Sequence, residues 1–146
     1  MDVTNEEEVK KAYEQAFAKF KEIRIFLFCA GTVQTQRMIS SKGNLHPTPL
    51  FKRIINVNLI GTFLCAKYAA HHMKDLSAVG KERGVIITVS SNLGFDGNRY
   101  FVAYSASKAA VMGMMLPMAR DLGRYGIRVV SIAPGLIKTP FLGHMD

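Results

Sequence analysis

Residues 84–135 read GVIITVSSNLGFDGNRYFVAYSASKAAVMGMMLPMARDLGRYGIRVVSIAPG, and this stretch decides the fold. Its two ends, beginning at Gly84 and at Ile127, are short and almost continuously apolar, which is typical of strands covered on both faces of a parallel sheet. The segment between them, residues 101–123, has the length and apolar content of a helix. Strand, helix and strand in this order predict a parallel βαβ unit with a right-handed crossover. The predicted fold class is therefore α/β.

The same alternation extends towards the amino terminus. Residues 23–28, IRIFLF, predict another buried strand, which ends in a turn of small residues. A long helix is predicted over residues 49–76, with Thr48 as its cap and Pro49 at its first helical position. These elements predict a parallel sheet of about three strands with flanking helices, and we expect residues 1–146 to form a single domain.

A first helix is predicted almost at the start of the chain. Thr4 and Glu7 match the capping-box pattern, in which the threonine oxygen accepts from a first-turn amide and the glutamate reaches back to the cap. Apolar residues then recur at helical spacing. They are Val9, Ala12, Tyr13, Ala16, Phe17 and Phe20.

Composition limits the classes of protein that this chain can belong to. Its 146 residues are 49% hydrophobic and 21% charged, which allows a sizeable core and excludes a disordered chain. The longest apolar runs are interrupted by glycine, proline and asparagine and fall short of a bilayer-spanning length, so no membrane segment is expected. Cys29 and Cys65 are predicted to be buried free thiols in a reducing compartment, because two cysteines do not suggest a disulfide framework.

The formal net charge is +8, but its lysines and arginines are scattered rather than clustered. A solvated basic surface is the simplest interpretation, and anionic ligands such as dinucleotides or coenzyme A thioesters are the next. Nucleic acid is a less favoured partner. Both long helices are apolar on more than one face, so we expect them to mediate homo-oligomer formation.

Four polar residues lie where chemistry could occur. Tyr104 and Lys108 are four residues apart on a predicted helix, which places them on one face. Ser91 follows the carboxyl end of a strand, where ligands bind in open parallel sheets. Asn58 lies in the middle of a helix, a poor position for a residue that competes for backbone hydrogen bonds. Each has an ordinary alternative: a chance pair, a turn serine, and a local kink or exposed face.

Taken together with their surroundings, these residues resemble the short-chain dehydrogenase/reductase family. The resemblance rests on DVT at 2–4, CAG at 29–31, NVNLIGTF at 56–63, ITVSS at 87–91, YSASK at 104–108 and IAPGLIKTP at 132–140. The motifs occur in the family's order, and they cover essentially the whole chain. The resemblance implies a partial Rossmann-type doubly wound parallel sheet, with residues 1–146 as a single, truncated NAD(P)-binding domain. The long loop and the helices are most similar to a subfamily that acts on 3-hydroxyacyl-CoA thioesters and hydroxysteroids.

The resemblance implies hydride exchange between NAD and a secondary alcohol or ketone, with NADP as the other cofactor to consider. Tyr104 would be the general acid/base, and Lys108 would favour its phenolate and hold the nicotinamide ribose. Ser91 would hydrogen-bond the substrate oxygen as charge develops on it. Asn58 would hold a water at a break in the first long helix, and this water would link Lys108 to solvent for proton transfer. Asn98 would face the substrate together with Ser91 and Tyr104.

The resemblance also assigns residues to the cofactor and implies no metal site. Asp2 and Val3 would lie against adenine, Cys29 and Ala30 against the adenosine ribose, and Ile137 and Thr139 on the nicotinamide carboxamide. The remaining cofactor residues implied are Gly31, Tyr104, Lys108, Pro134 and Gly135.

The chain departs from the family pattern in ways that keep alternatives open. No T-G-x-x-x-G-x-G turn occurs in the 146 residues, although that turn is the family's pyrophosphate site at a helix N-terminus. Phe28 stands where the family usually has asparagine, and Arg24 where aspartate is usual. We therefore expect either an NAD-dependent dehydrogenase with further parts, a catalytically incompetent fragment, or an interaction protein of the same fold.

Overall fold

The computed structural model describes residues 1–137, and its centre is a three-stranded parallel sheet. The strand order is β1-β2-β3, so sequence neighbours are also neighbours in space. The predicted α/β class and partial Rossmann-type sheet are confirmed. The first strand begins two residues later than predicted. The strands are β1 (Ile25–Phe28), β2 (Gly84–Val89) and β3 (Ile127–Ile132).

Within residues 1–137, four α-helices connect and flank the strands. The helix predicted over residues 49–76 proves to be three consecutive segments, because a π-helical turn separates two α-helices. The last of these segments ends at Met73, earlier than predicted. The helix predicted over residues 101–123 begins one residue later. The helices are α1 (Glu6–Phe20), α2 (Thr48–Ile55), α3 (Gly61–Met73) and α4 (Val102–Gly123), with a π-helical segment at Asn56–Ile60 and a 3-10 turn at Asn92–Gly94.

The cap of α1 is Asn5, so the predicted capping box at Thr4 is wrong. The Asn5 side-chain oxygen accepts from the backbone N–H of Glu7 at 3.1 Å and of Glu8 at 3.3 Å. The Thr4 hydroxyl instead donates to Asp2 Oδ1 at 2.9 Å, which takes it away from the helix. Asparagine is among the best N-cap residues, so the shift by one position has a clear physical reason.

The start of α2 also differs from the prediction. Thr48 is the first helical residue rather than the cap, and the cap position belongs to Pro47, which makes no side-chain hydrogen bond. Proline at the start of a helix is tolerated because the first backbone amides have no partner within the helix.

The core lies between the sheet and the helices α3 and α4. Alternate residues of β2 and β3 point towards these helices, and α1 packs beside α3. On the opposite face of the sheet, alternate apolar residues of β1 and β3 are exposed. In the described part of the chain, the helices therefore cover one face of the sheet. The buried residues of the main cluster are Ala66, Ala69, Met73, Ile86, Ile127 and Val129.

Among the described residues, none of the helices combines the length and the apolar character needed to cross a bilayer.

Candidate active site

A cleft of about 550 Å³ lies at the carboxyl ends of the three strands. This is the edge of an open parallel sheet at which ligands bind, because the backbone turns away there and leaves a crevice. Residues that follow each of the strands line the cleft, as does the first turn of α4. The lining from the strand ends includes Cys29, Gly31, Ser90, Ser91, Pro134 and Gly135.

Tyr104 and Lys108 enter the cleft from consecutive turns of α4. Both side chains are buried, and Lys108 Nζ lies 5.7 Å from the centre of the Tyr104 ring. The end of β2 holds this part of the helix in place. Ser90 Oγ donates to the Lys108 carbonyl at 2.7 Å, and Lys108 Nζ donates to the Val89 carbonyl at 2.7 Å. The sheet therefore fixes both the backbone and the head group of Lys108.

Burial changes the proton affinity of both groups. It lowers the pKa of Lys108 to about 8, and the nearby Cys29 opposes that change. Burial also raises the pKa of Tyr104 above its usual value, and the Ser91 hydroxyl offsets part of the rise. The implied stabilisation of the Tyr104 phenolate by Lys108 stays a prediction: the ammonium donates to the Val89 carbonyl here, and desolvation has the largest effect on the Tyr104 pKa. At neutral pH Tyr104 is a neutral phenol, which is the form that can donate a proton.

Ser91 lies between β2 and the 3-10 turn that follows it. Its Oγ accepts from the Leu93 backbone N–H at 3.2 Å and donates to Asn92 Oδ1 at 3.3 Å. These bonds hold the hydroxyl at the cleft wall near the Tyr104 phenol. Ser91 and Tyr104 therefore face the same space, as a substrate oxygen bound by both would require.

Asn58 lies in the π-helical segment, where the resemblance places a break in the helix. Its side chain is fully buried. Asn58 Nδ2 donates to the Thr32 carbonyl and to Ser107 Oγ, both at 2.9 Å, and Oδ1 accepts from the Thr32 N–H at 2.8 Å. Gly31 separates Asn58 from Lys108, since a Cβ there would lie 3.4 Å from Asn58 Oδ1 and 3.8 Å from Lys108 Nζ. The implied water link to Lys108 stays a prediction.

The structure brings most of the other predicted site residues to the cleft. Asn98, Pro134, Gly135 and Ile137 all line it. Cys29 lines it too, but its side chain is exposed, so the prediction of a buried thiol is wrong. The reason is that β1 ends at Phe28, which leaves the following residue beyond the sheet.

Several predicted residues lie elsewhere. Val3 and Ala30 line a separate apolar groove of about 340 Å³ between α1, β1 and α3, and Asp2 is exposed with its carboxylate bonded to Thr4. Thr139 lies outside the described residues. Cys65 is buried, as predicted. The assignments of Asp2, Val3, Ala30 and Thr139 to the cofactor stay predictions.

Sequence reasoning missed two residues that organise the site, Thr32 and Ser107. Ser107 could have been noticed as a serine in a helix interior, where its side chain competes for backbone bonds. Thr32 takes part through its backbone N–H and carbonyl, so the identity of its side chain gives no hint of this role. Within residues 1–137, no group of three or more histidine, cysteine and carboxylate side chains is arranged to hold a metal ion.

Comparison with known protein families gives a match over the whole chain. The model of the short chain dehydrogenase family matches residues 1–146. The chain belongs to the short chain dehydrogenase family. This confirms the resemblance inferred from the motifs. The cleft that contains Ser91, Tyr104 and Lys108 is thus the candidate active site of this short chain dehydrogenase family member.

Curated relatives in this family include 3-hydroxyacyl-CoA dehydrogenase type-2 from several animals. The rat protein is 46% identical over 143 residues, which cover 97% of this chain and 55% of the relative. The Drosophila melanogaster protein is 43% identical, over 99% of this chain and 58% of the relative. The chain therefore spans little more than half the length of these short chain dehydrogenases. The predicted similarity to the 3-hydroxyacyl-CoA subfamily is confirmed.

Solved structures of family members have the same fold. A 3-hydroxyacyl-CoA dehydrogenase type-2 from Mycobacterium avium superposes with a TM-score of 0.90 at 32% identity, over 100% of this chain and 57% of that one. ElxO with NADP bound gives a TM-score of 0.86 at 32% identity, over 98% of this chain and 54% of that one. The order of strands and helices in this chain is thus that of the corresponding part of a short chain dehydrogenase.

Proposed function

We propose that this chain carries the catalytic residues of an oxidoreductase that exchanges a hydride between NAD(H) and a secondary alcohol or its ketone. The observation that carries the proposal is the convergence of Ser91, Tyr104 and Lys108 in one cleft at the carboxyl edge of the sheet. A 3-hydroxyacyl-CoA or a hydroxysteroid is the substrate class we favour. The names of the relatives support the first, and the net charge of +8 suits an anionic thioester.

The residues present fit a nicotinamide cofactor, which would supply the hydride acceptor or donor. The cleft volume of about 550 Å³ lies in the range of small-molecule sites. The Lys108 ammonium uses one N–H on the Val89 carbonyl, so two others could bind ribose hydroxyls. Gly31 keeps the space in front of that ammonium free of a side chain, and Gly135 has open space where a Cβ would be.

Proton transfer to and from the substrate oxygen falls to Tyr104. As a buried neutral phenol it can donate its proton to a ketone oxygen, while the Ser91 hydroxyl stabilises the charge that develops on that oxygen. In the oxidation direction, Tyr104 must accept a proton as phenolate. Because burial disfavours the phenolate, we expect its formation to depend on the positive charge of the Lys108 ammonium beside it.

Tyr104→Phe tests the catalytic assignment. It removes the proton donor while keeping the ring, so we expect turnover at saturating cofactor to fall by about 10²- to 10⁴-fold. Tyr125→Phe is the matched control, since it removes a phenol hydroxyl outside the cleft, just beyond the end of α4. Retention of full activity in Tyr104→Phe would refute the role of Tyr104.

Calorimetric titration with NAD, and with NADP in parallel, tests the cofactor and the alternative of an incompetent fragment. We expect the 146-residue chain to bind more weakly than micromolar, because it contains no T-G-x-x-x-G-x-G turn. Charge-assisted hydrogen bonds of the kind this turn makes are worth roughly 1.5–3 kcal/mol each, so losing several weakens binding by orders of magnitude. Micromolar binding would rule out the incompetent-fragment alternative.

We also propose that the chain self-associates through the outer faces of its helices. Ile60, Phe63 and Leu116 are each between 42% and 49% exposed, although they lie in regular helical structure. Large apolar side chains exposed on neighbouring helices favour a protein interface over a solvated surface.

A further inference from the structure

Ser107 is a fully buried serine on the turn of α4 that links Tyr104 to Lys108. Its hydroxyl donates to the Tyr104 carbonyl at 2.7 Å and accepts from Asn58 Nδ2 at 2.9 Å. A serine hydroxyl has one hydrogen, so once that hydrogen is on the carbonyl the oxygen can only accept from Asn58. Ser107 thus joins α4 to the π-helical segment.

The orientation of the Asn58 amide follows from its other partners. The Thr32 N–H can only donate and the Thr32 carbonyl can only accept, so Oδ1 must face the first and Nδ2 the second. One N–H of Asn58 remains, and it points at Ser107. A continuous series of hydrogen bonds therefore runs from Thr32, after β1, through Asn58 and Ser107 to the Tyr104 backbone.

The Thr32 end of this series lies close to the head group of Lys108. Gly31 precedes Thr32, and a Cβ built on it would lie 3.8 Å from Lys108 Nζ and 3.4 Å from Asn58 Oδ1. A small displacement of Thr32 therefore changes the space in front of the ammonium. The distance between the turn at Gly31 and the helix α4 depends on how firmly Asn58 is held.

We propose that Ser107 is a positioning residue: its hydroxyl anchors Asn58 to α4 and thereby holds the turn at Gly31 and Thr32 against Tyr104 and Lys108. Ser107 acts through Asn58 and is not among the residues that line the cleft. Its consequence for catalysis rests on the proposed function. The hydrogen-bonded link itself can be measured whether or not the chain turns over a substrate.

Amide hydrogen exchange by NMR on the 146-residue chain tests the link. In Ser107→Ala we expect the Thr32 amide to exchange at least about fivefold faster, because Asn58 loses one of its anchors. The Ile86 amide in β2 serves as the reference for global opening. The ratio of the Thr32 exchange rate to the Ile86 exchange rate isolates the local effect. Ser105→Ala is the matched control, since among the described residues the buried Ser105 hydroxyl has no hydrogen-bond partner and its removal should leave the ratio unchanged.

Two further variants keep the test decisive. Ser107→Thr retains a hydroxyl and should restore the protection of Thr32. If Ser107→Ala does not fold, Ser107→Cys serves in its place. The thiol fills a similar space but is a weak acceptor, so we expect an intermediate increase in the Thr32 exchange rate. If the variant that folds has the same ratio of Thr32 to Ile86 exchange rates as the wild type, the proposal is overturned.

An activity measurement separates this proposal from the proposed function. Where the wild-type chain turns over an alcohol with NAD, Ser107→Ala should lower kcat about tenfold or more and leave the substrate KM nearly unchanged, and Ser107→Thr should recover kcat. An unchanged kcat would overturn the positioning role. Faster Thr32 exchange in Ser107→Ala together with an inactive wild-type chain would count against the proposed function and would still support the link.

Discussion

At the scale of a single residue, Lys108 is a buried cation. The residue is 7% exposed, and within residues 1–137 its ammonium has one acceptor, the Val89 carbonyl. A cation held this deeply loses much of its hydration, which one neutral hydrogen bond does not replace. The fold therefore tolerates the charge at a cost to stability, as is common for residues placed for function.

The pH dependence of stability should reveal this cost. Burial lowers the pKa of Lys108 from 10.5 to about 8, so the unfolded chain holds the proton more tightly than the folded one. The cost of the charge is therefore fully present below pH 8 and is relieved between pH 8 and 10.5. We expect Lys108→Met to raise the free energy of unfolding by up to about 3 kcal/mol at pH 7, and the gain to vanish towards pH 10.5.

Chemical denaturation across this pH range measures the effect. Lys52→Met, which removes an exposed lysine from α2, controls for the change in net charge. A gain in Lys108→Met that is constant with pH would mean that the lysine titrates as it does in the unfolded chain.

At the scale of elements, the ends and interruptions of helices decide the geometry. The π-helical segment at Asn56–Ile60 brings Asn58 into the interior, where its amide bonds to Thr32 and Ser107. An uninterrupted helix would follow the apolar pattern of this region equally well, so the pattern alone does not reveal the π-helical turn. The position of the asparagine is the one local hint.

The cap of α1 provides a direct test at this scale. Asn5→Ala removes the acceptor of two first-turn amides and should lower the free energy of unfolding by about 1 kcal/mol. Thr4→Ala should cost less than about 0.5 kcal/mol, because that hydroxyl donates to Asp2, which lies outside the helix. Thermal or urea unfolding of both variants measures the difference, and a larger loss in Thr4→Ala would restore the capping-box interpretation.

At the scale of the whole molecule, two apolar surfaces compete as sites of association. One is formed by the exposed apolar residues of the helices, such as Phe63 of α3 and Leu116 of α4. The other is the uncovered face of the sheet, where Leu27 of β1 is 51% exposed and Val130 of β3 is 42% exposed. Exposed strand edges promote uncontrolled association, and an exposed apolar patch marks either an interaction site or an aggregation site.

Sedimentation velocity can show which of the two surfaces forms the oligomer interface. We expect Phe63→Glu to convert a discrete oligomer to monomer, because the charge would be buried in the helix interface. Leu27→Glu should leave that oligomer intact and reduce the binding of a hydrophobic dye and the amount of aggregate. An oligomer that survives Phe63→Glu and is lost in Leu27→Glu would place the interface on the sheet instead.

The sequence alone is enough to predict the α/β class, the order of the strands and helices, the family and the positions of Ser91, Tyr104 and Lys108. These follow from apolar periodicity and short motifs, which are local properties of the chain. The fold was needed to establish the exposure of Cys29, the direction of the Tyr104 pKa and the bonds of Asn58. Burial and partners separated by many residues set these three properties, so no local pattern in the chain encodes them.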